Sequence, residues 1–230
     1  MEKNQYELCV EVLKRLQKAT VLKEIILIGS WCIPFYKEYF AGIKYPSTIQ
    51  TRDVDFLIPY PNRIKVNVNI PGLLKDLGFV IGYAGTKGYM RLEHPDLMIE
   101  FLSPEKGKGT DRPIPLPKLG VNAVALRFLS LLTDNVIKAR VTNFDVLLPH
   151  PANFALHKLI ISQRRPRGDK ALKDRNAAVE ILKALLDKGE IDTIRKVFSS
   201  LFPKWQKKVL KALEKAREEV MVDKLSQPIQ

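Results

Sequence analysis

Apolar residues recur at Leu8, Val12, Leu13 and Leu16 within an otherwise charged stretch, the one-sided spacing of an amphipathic helix over 5–20. The pattern then changes. Ile25-Ile26-Leu27-Ile28 is a continuous apolar run closed by Gly29-Ser30, which predicts a buried strand over 24–28. A helix over 31–40 follows. Alternation sets in at Asp53-Val54-Asp55-Phe56 and runs into Leu57-Ile58-Pro59, predicting a strand over 54–58 that enters a core. A helix is predicted over 70–77, with Pro71 in its first turn and Gly78 at its end. Strands are predicted over 79–84 and 89–93, joined by Gly85-Thr86-Lys87-Gly88, and over 97–102. The stretch 104–117 carries two glycines and four prolines and predicts a loop. Beyond it the pattern predicts a short helix over 123–131 and a strand pair over 138–148. Helices follow over 151–164, 170–188, 190–200 and 203–222, and 227–230 fray.

These elements predict an α+β fold: a small mixed sheet flanked by helices, followed by a C-terminal helical domain. The expected organisation is a sheet-bearing domain over 1–115, a connecting segment over 116–150 and a helical domain over 151–230.

The chemistry concentrates at Asp53 and Asp55. Side chains at i and i+2 share one face of a strand, so both carboxylates aim at one spot. Anions held that close repel unless a cation sits between them. A hard divalent cation such as Mg²⁺ takes carboxylate oxygen and bridges to substrate phosphate; two solvated acids at the start of an edge strand are the plainer alternative. Upstream, Gly29-Ser30 closes a strand before a helix. Such a turn offers free N–H groups and a hydroxyl to an anion, and it equally describes a strand-to-helix turn with Ser30 as N-cap. Downstream, Glu100 lies between Ile99 and Phe101 in an apolar strand, where a carboxylate needs a partner. A metal shared with Asp53 and Asp55 would be one. An ion pair with Arg91, on the preceding strand, is the simpler local account of that residue.

Strand, Gly29-Ser30, helix, then Asp53-x-Asp55 on a strand and Glu100 on a later one: this ordered set resembles the nucleotidyltransferase superfamily of the DNA polymerase beta type. The resemblance covers about 20–105 as the catalytic core. The gap from Ser30 to Asp53 is longer than in compact members, and with Thr51-Arg52 before the acids it resembles the bacterial and archaeal branch related to abortive-infection toxins. The stretches 154–165 and 173–182 also resemble predicted bacterial nucleotidyltransferases. That resemblance implies catalytic and metal-binding roles for Asp53, Asp55 and Glu100. It implies nucleotide-binding roles for Gly29, Ser30, Lys158 and Asp174, with Ser30 and Lys158 flanking one cleft. It also implies two Mg²⁺ ions, with Mn²⁺ as a substitute, and transfer of a nucleoside monophosphate from an NTP to RNA, protein or a small molecule with release of pyrophosphate. A non-catalytic nucleotide- or RNA-binding module on the same fold is the alternative.

Composition changes this picture in one respect. Apolar residues at 46% and charged residues at 27% describe a globular chain. No apolar run is long enough to span a membrane, the N-terminal stretch lacks an apolar signal core, and Cys9 and Cys32 are too few for a disulfide framework. A cytoplasmic protein with free thiols is expected. The net charge of +13 adds a polyanionic partner to the candidates. Arg164, Arg165, Arg167, Lys170, Lys173 and Arg175 crowd one segment beside Pro166 and Gly168, and Lys106 and Lys108 form a second basic loop. An RNA acceptor held by the 164–175 segment is the expectation; a solvated surface is the alternative. The acceptor, the base and the oligomeric state are not specified by any motif in the chain.

Overall fold

The computed structural model describes residues 3–46, 51–105, 107, 109, 112–166 and 168–227; Lys106, Lys108 and Arg167, and the predicted fraying of 228–230, lie outside the described residues. The chain divides into two compact units, Met1–Glu38 with Thr48–Pro149, and Tyr39–Ser47 with His150–Gln230.

In the first unit, α1 (Lys3–Lys18) buries Cys9, Val12, Leu13 and Leu16, the predicted stripe. Gln5 at its start donates to the carbonyls of Thr51 and Asp96, at 3.1 and 2.9 Å. It thereby ties the helix to the segments that lead into two strands. Strand β1 (Ile26–Ile28) is buried throughout. A 3-10 turn over Gly29–Trp31 runs into the short helix α2 (Cys32–Phe35). The predicted helix over 31–40 therefore stops early. Trp31, Cys32, Phe35, Tyr36 and Phe40 are all buried, and the Tyr36 N–H reaches the carbonyls of both Cys32 and Ile33, at 3.1 and 3.2 Å, which tightens the last turn.

Strand β2 (Asp53–Leu57), helix α3 (Ile70–Leu74), and strands β3 (Val80–Ala84), β4 (Tyr89–Glu93) and β5 (Met98–Pro104) follow as the pattern predicts, within a residue or two at most ends. The sheet order is β1-β2-β5-β4-β3. β5 is parallel to β2 and antiparallel to β4.

Two expectations fail here. The predicted helix over 123–131 is instead a strand, β7 (Val121–Leu126), followed by a 3-10 turn over Leu129–Leu132. The predicted loop over 104–117 contains β6 (Ile114–Leu116). β7 pairs in parallel with the end of β5 and antiparallel with β6. Val121 and Ala123 are buried on alternate positions, so burial in the sheet overrides the helical propensity of the Ala-Leu run. Pro115 is accommodated because a short outer strand needs few donors. The hairpin β8 (Val136–Val141) and β9 (Phe144–Pro149) is the predicted strand pair.

The second unit is helical: α4 (Pro151–Ser162), α5 (Gly168–Asp187), α6 (Ile191–Ser200), α7 (Pro203–Lys215) and α8 (Glu219–Ser226). All residues of α4 from Pro151 to Ile160 are buried, which makes it the unit's core helix. The predicted helix over 203–222 breaks at Arg217, which takes a left-handed φ of 59°. There the Glu218 N–H returns to the Leu213 carbonyl at 3.0 Å, closing α7 with a six-to-one bond. No helix among the described residues is long and apolar enough to cross a membrane.

Phe56 on β2 and Phe101 on β5 are fully or almost fully buried, with ring centroids 5.8 Å apart. Phe56→Ala is expected to cost about 3–5 kcal/mol. Urea unfolding should show a lower midpoint at unchanged slope.

Candidate active site

The strand registers set the first unit's chemistry. Asp55 pairs with Glu100 across β2 and β5, Asp53 with Met98, and Ile28 of β1 with Asp55. Residues opposite one another in register project from the same face. Asp53, Asp55 and Glu100 therefore share one face. Val54, Phe56, Ile99 and Phe101 fill the other, and all four are buried. The acid face is itself half apolar. Toward its other end Ile26, Ile28, Leu57 and Leu102 pack with Leu129 and Leu132. The carboxylates stand where that apolar floor gives way to partly exposed positions.

Gly29 approaches this group most closely. Its φ is +72°, and a Cβ built there would lie 2.5 Å from Asp55 Oδ2. Only glycine meets both demands, a left-handed backbone and no side chain. Ser30, expected either to cap a helix or to hold an anion, caps neither the 3-10 turn, whose cap residue is Ile28, nor α2, whose cap residue is Trp31. Trp31 and Cys32 are buried, and the Cys32 thiol donates to the Leu27 carbonyl at 3.3 Å.

Glu100 has a partner on the sheet. The guanidinium of Arg91 on β4 donates to its Oε1. Among the described residues no three His, Cys, Asp or Glu side chains are gathered closely enough to hold one ion. The donor type nevertheless suits a hard cation: two same-face carboxylates, with the backbone of Gly29 lying close against one of them. Arg52, on the segment entering β2, donates to the His94 carbonyl at 2.7 Å. Asn122, which the sequence pattern did not single out, accepts from the Met90 N–H and donates to the Gly88 carbonyl, both at 2.9 Å.

The second unit holds Lys158 and Asp174, both buried. Lys158 Nζ lies 2.6 Å from Asp174 Oδ1, and Arg165 Nε lies 3.0 Å from Oδ2. Burial would raise the Asp174 pKa, but the charges and hydrogen bonds of Lys158 and Arg165 outweigh it and hold the carboxyl below the usual range. Arg165 is thus committed to a buried acid as well as belonging to the basic segment. Its spacing of nine residues from Asp174 gave no pattern by which to foresee that. His157, next to Lys158, is buried, and its Nε2 has no hydrogen-bond partner. Burial first, and then the Lys158 ammonium, push its pKa down to about 3, so it is neutral at physiological pH. A neutral buried imidazole beside a cation is a packing group in that state. The same unit also contains a chain from His150 Nε2 to the Tyr39 hydroxyl, 2.7 Å, and from that hydroxyl to Glu190 Oε2, 2.5 Å.

A family model described as Nucleotidyltransferase matches residues 7–200. The chain belongs to the nucleotidyltransferase family. No curated protein matches its sequence. Among solved structures, an antigenic nucleotidyltransferase-like protein from Paracoccidioides brasiliensis is similar in fold. It shows a TM-score of 0.54 and 14% identity over 100% of this chain and 96% of that one. The antibiotic-resistance factor ANT(2'')-Ia is more distant, with a TM-score of 0.44 and 12% identity over 91% of this chain and 97% of that one. Nucleotidyl transfer is therefore this enzyme's general activity, and the sheet with its C-terminal helices is the family's fold.

Two results are expected from this geometry. Gly29→Ala adds a collision with Asp55 to a left-handed backbone that costs an L-residue about 1–2 kcal/mol. Thermal unfolding should show a loss, and Gly29→Ala in an Asp55→Ala background should recover the collision part but not the backbone part. The second concerns acid. A His whose folded pKa lies below its unfolded value of 6.5 contributes stability that is complete above pH 6.5 and lost as pH falls toward about 3. His157→Leu should abolish that loss, about 1.4 kcal/mol per pH unit within the window. Melting curves of both proteins at pH 7.5 and 4.5 give the comparison.

Proposed function

We propose that this nucleotidyltransferase transfers a nucleoside monophosphate from an NTP to an acceptor hydroxyl, with Asp53, Asp55 and Glu100 as its catalytic carboxylates. The observation that carries the reading is the register that sets all three acids on one face, with Gly29 lying against Asp55. Asp53 and Asp55 would hold Mg²⁺, or Mn²⁺ in its place. When bound, that metal supplies charge neutralisation on the phosphates and orientation of the α-phosphate for in-line displacement.

The residues do the rest. The backbone of the Gly29-Ser30 turn would come close to a phosphate beside Asp55, and the Ser30 hydroxyl would donate to it. The acceptor oxygen attacks the α-phosphorus, the bond to the β-phosphate oxygen breaks, and pyrophosphate leaves. Glu100, oriented by Arg91 through Oε1, takes the acceptor's proton on Oε2, which makes no hydrogen bond among the described residues. Lys158 and Asp174 are proposed as nucleotide-binding residues in the second unit. Their buried pairing supports a role in which Asp174 fixes the position of the lysine. RNA is the acceptor class that the charge of +13 favours, through the segment 164–175.

Asp53→Asn and Asp55→Asn should each lower kcat by about 10²-fold or more while leaving the melting temperature within a few degrees, since loss of one transition-state charge contact is of that order. The assay is pyrophosphate release with each of the four NTPs against RNA, protein and small-molecule acceptor pools. Full turnover in both variants would remove the carboxylates from the mechanism.

A further inference from the structure

One helix of the second unit carries charge that neither the fold nor the proposed chemistry uses. α7 (Pro203–Lys215) contains Lys204, Lys207, Lys208, Lys211 and Lys215. At 3.6 residues per turn these five fall within an arc of ~100°. Lys204, Lys207, Lys211 and Lys215 are exposed and Lys208 is half-buried. None of the five has an ion-pair partner among the described residues. Two other exposed or half-exposed lysines of the unit do, Lys183 with Glu218 at 2.8 Å and Lys188 with Glu190 at 2.6 Å, whereas Lys170, Lys173, Lys196 and Lys224 have none among the described residues. Glu214 is the one acid in the helix. Five unpaired ammonium groups on one stripe repel one another, and no ion pair among the described residues compensates them. A polyanion would.

Two more observations define the kind of polyanion. Phe202, at the N-terminal end of α7, is 68% exposed, an unusual position for so large an apolar ring. It stands edge-on to Trp205, with centroids 5.2 Å apart, so the ring is held in place while its surface stays open. A fixed exposed ring beside a row of cations is the combination that takes an unstacked base and its phosphates. The opposite side of α7, Val209, Ala212 and Leu213, is buried in the unit's core. The helix therefore has no free apolar face to lay into a lipid surface, which sets a membrane aside. Gln163, at the end of α4, donates to the Lys208 carbonyl at 2.7 Å, and Arg164 and Arg165 follow it directly. The basic segment and the lysine stripe are thus joined in one unit. Successive lysines at three- and four-residue spacing rise by ~4.5–6 Å along the axis, a spacing that suits the phosphates of an extended single strand.

We propose that the Lys204–Lys215 stripe of α7, with Phe202 at its end, is a track for single-stranded RNA, with the lysines on consecutive phosphates and Phe202 stacking a base. The site lies outside the proposed catalytic residues, so its test needs neither NTP nor turnover.

The experiment is fluorescence anisotropy of the full chain with a labelled single-stranded RNA of about a dozen nucleotides, within the range of common single-strand site sizes. A duplex RNA of the same length and phosphatidylserine vesicles serve as the other ligands. The wild-type chain should bind the single strand, weakening steeply with salt. Lys207→Ala/Lys211→Ala/Lys215→Ala should weaken binding tenfold or more at low salt. It should also lower the slope of log affinity against log salt by about 2, as the loss of three phosphate contacts requires. Phe202→Ala should weaken single-strand binding about tenfold with the slope unchanged, Phe202→Trp should restore it, and duplex binding should not respond to either. All four positions are solvent-exposed, and a circular-dichroism melt confirms that the variants fold. Unchanged affinity in the triple variant overturns the proposal. So does vesicle binding that depends on Phe202 while RNA binding does not. If RNA binding is absent but pyrophosphate release persists, this track falls and the catalytic reading stands; loss of turnover in Asp53→Asn with RNA binding intact separates the two in the other direction.

Discussion

The parallel pairing of β2 with β5 is the constraint on which the first unit depends. It sets Asp55 opposite Glu100 and Phe56 opposite Phe101. A slip of one residue would carry the carboxylates to the buried face and the phenylalanines to the acid face. Both results are costly, since an unpaired carboxylate in an apolar interior loses its hydration and an exposed aromatic loses its burial. The hydrophobic face thus specifies the register, and the register specifies the acid group. Stability and site geometry are one decision here. β1 reinforces it: Ile26 against Leu57 and Ile28 against Asp55 leave Gly29 at the carboxylate, where a side chain has no room. Gln5 adds a second restraint from α1 by holding the carbonyls just before β2 and β5.

The second unit solves a different problem. A buried ammonium and a buried carboxylate each lose hydration on folding, and their mutual attraction offsets that loss only with good geometry and further hydrogen bonds. Lys158, Asp174 and Arg165 meet the condition, with both carboxylate oxygens engaged. Such a group contributes little net stability compared with an apolar core, and breaking it by removing one partner is expensive. Its presence in the helix that forms the centre of the unit is better explained by positioning than by stability. His157 sharpens the point, because it stays neutral beside the cation and adds no second positive charge to the core.

Much of this was legible in the residues. The period-two alternation at Asp53-Val54-Asp55-Phe56 gave a strand with two acids on one side, and the apolar neighbours of Glu100 announced a carboxylate in need of a partner. The partner seen is Arg91, an ordinary cross-strand pair, because a neighbouring strand supplies a cation at the distance a local contact requires. What could not be read was long-range. The segment 121–126 has helix-forming Ala and Leu, and pairing with the end of β5 and with β6 makes it a strand. The break at Arg217 has no glycine to mark it; the Glu218 to Leu213 bond sets it instead. The bond between Arg165 and Asp174 joins residues nine apart, a separation that no spacing rule describes. Local period and local chemistry were visible, whereas contacts between distant strands and side chains had to be built.

The cations of this chain sort by what surrounds them rather than by residue type. Lys158 is desolvated and paired, so its charge is spent within the fold and its position is fixed. Arg91 is half-exposed and holds one carboxylate oxygen of Glu100, leaving that acid oriented. The lysines of α7 are hydrated, unpaired and aligned, and no folded-state contact accounts for their alignment. Amphipathic packing explains why they face outward, since Val209, Ala212 and Leu213 must face in. It does not explain why five of the six charged residues of the helix carry the same sign. A solvated helix face is served equally well by mixed charges, and i,i+4 pairs of opposite sign would stabilise it while pairs of like sign do the reverse. The helix accepts that penalty at several positions at once, and a charge pattern that weakens its own helix points to a partner outside the chain.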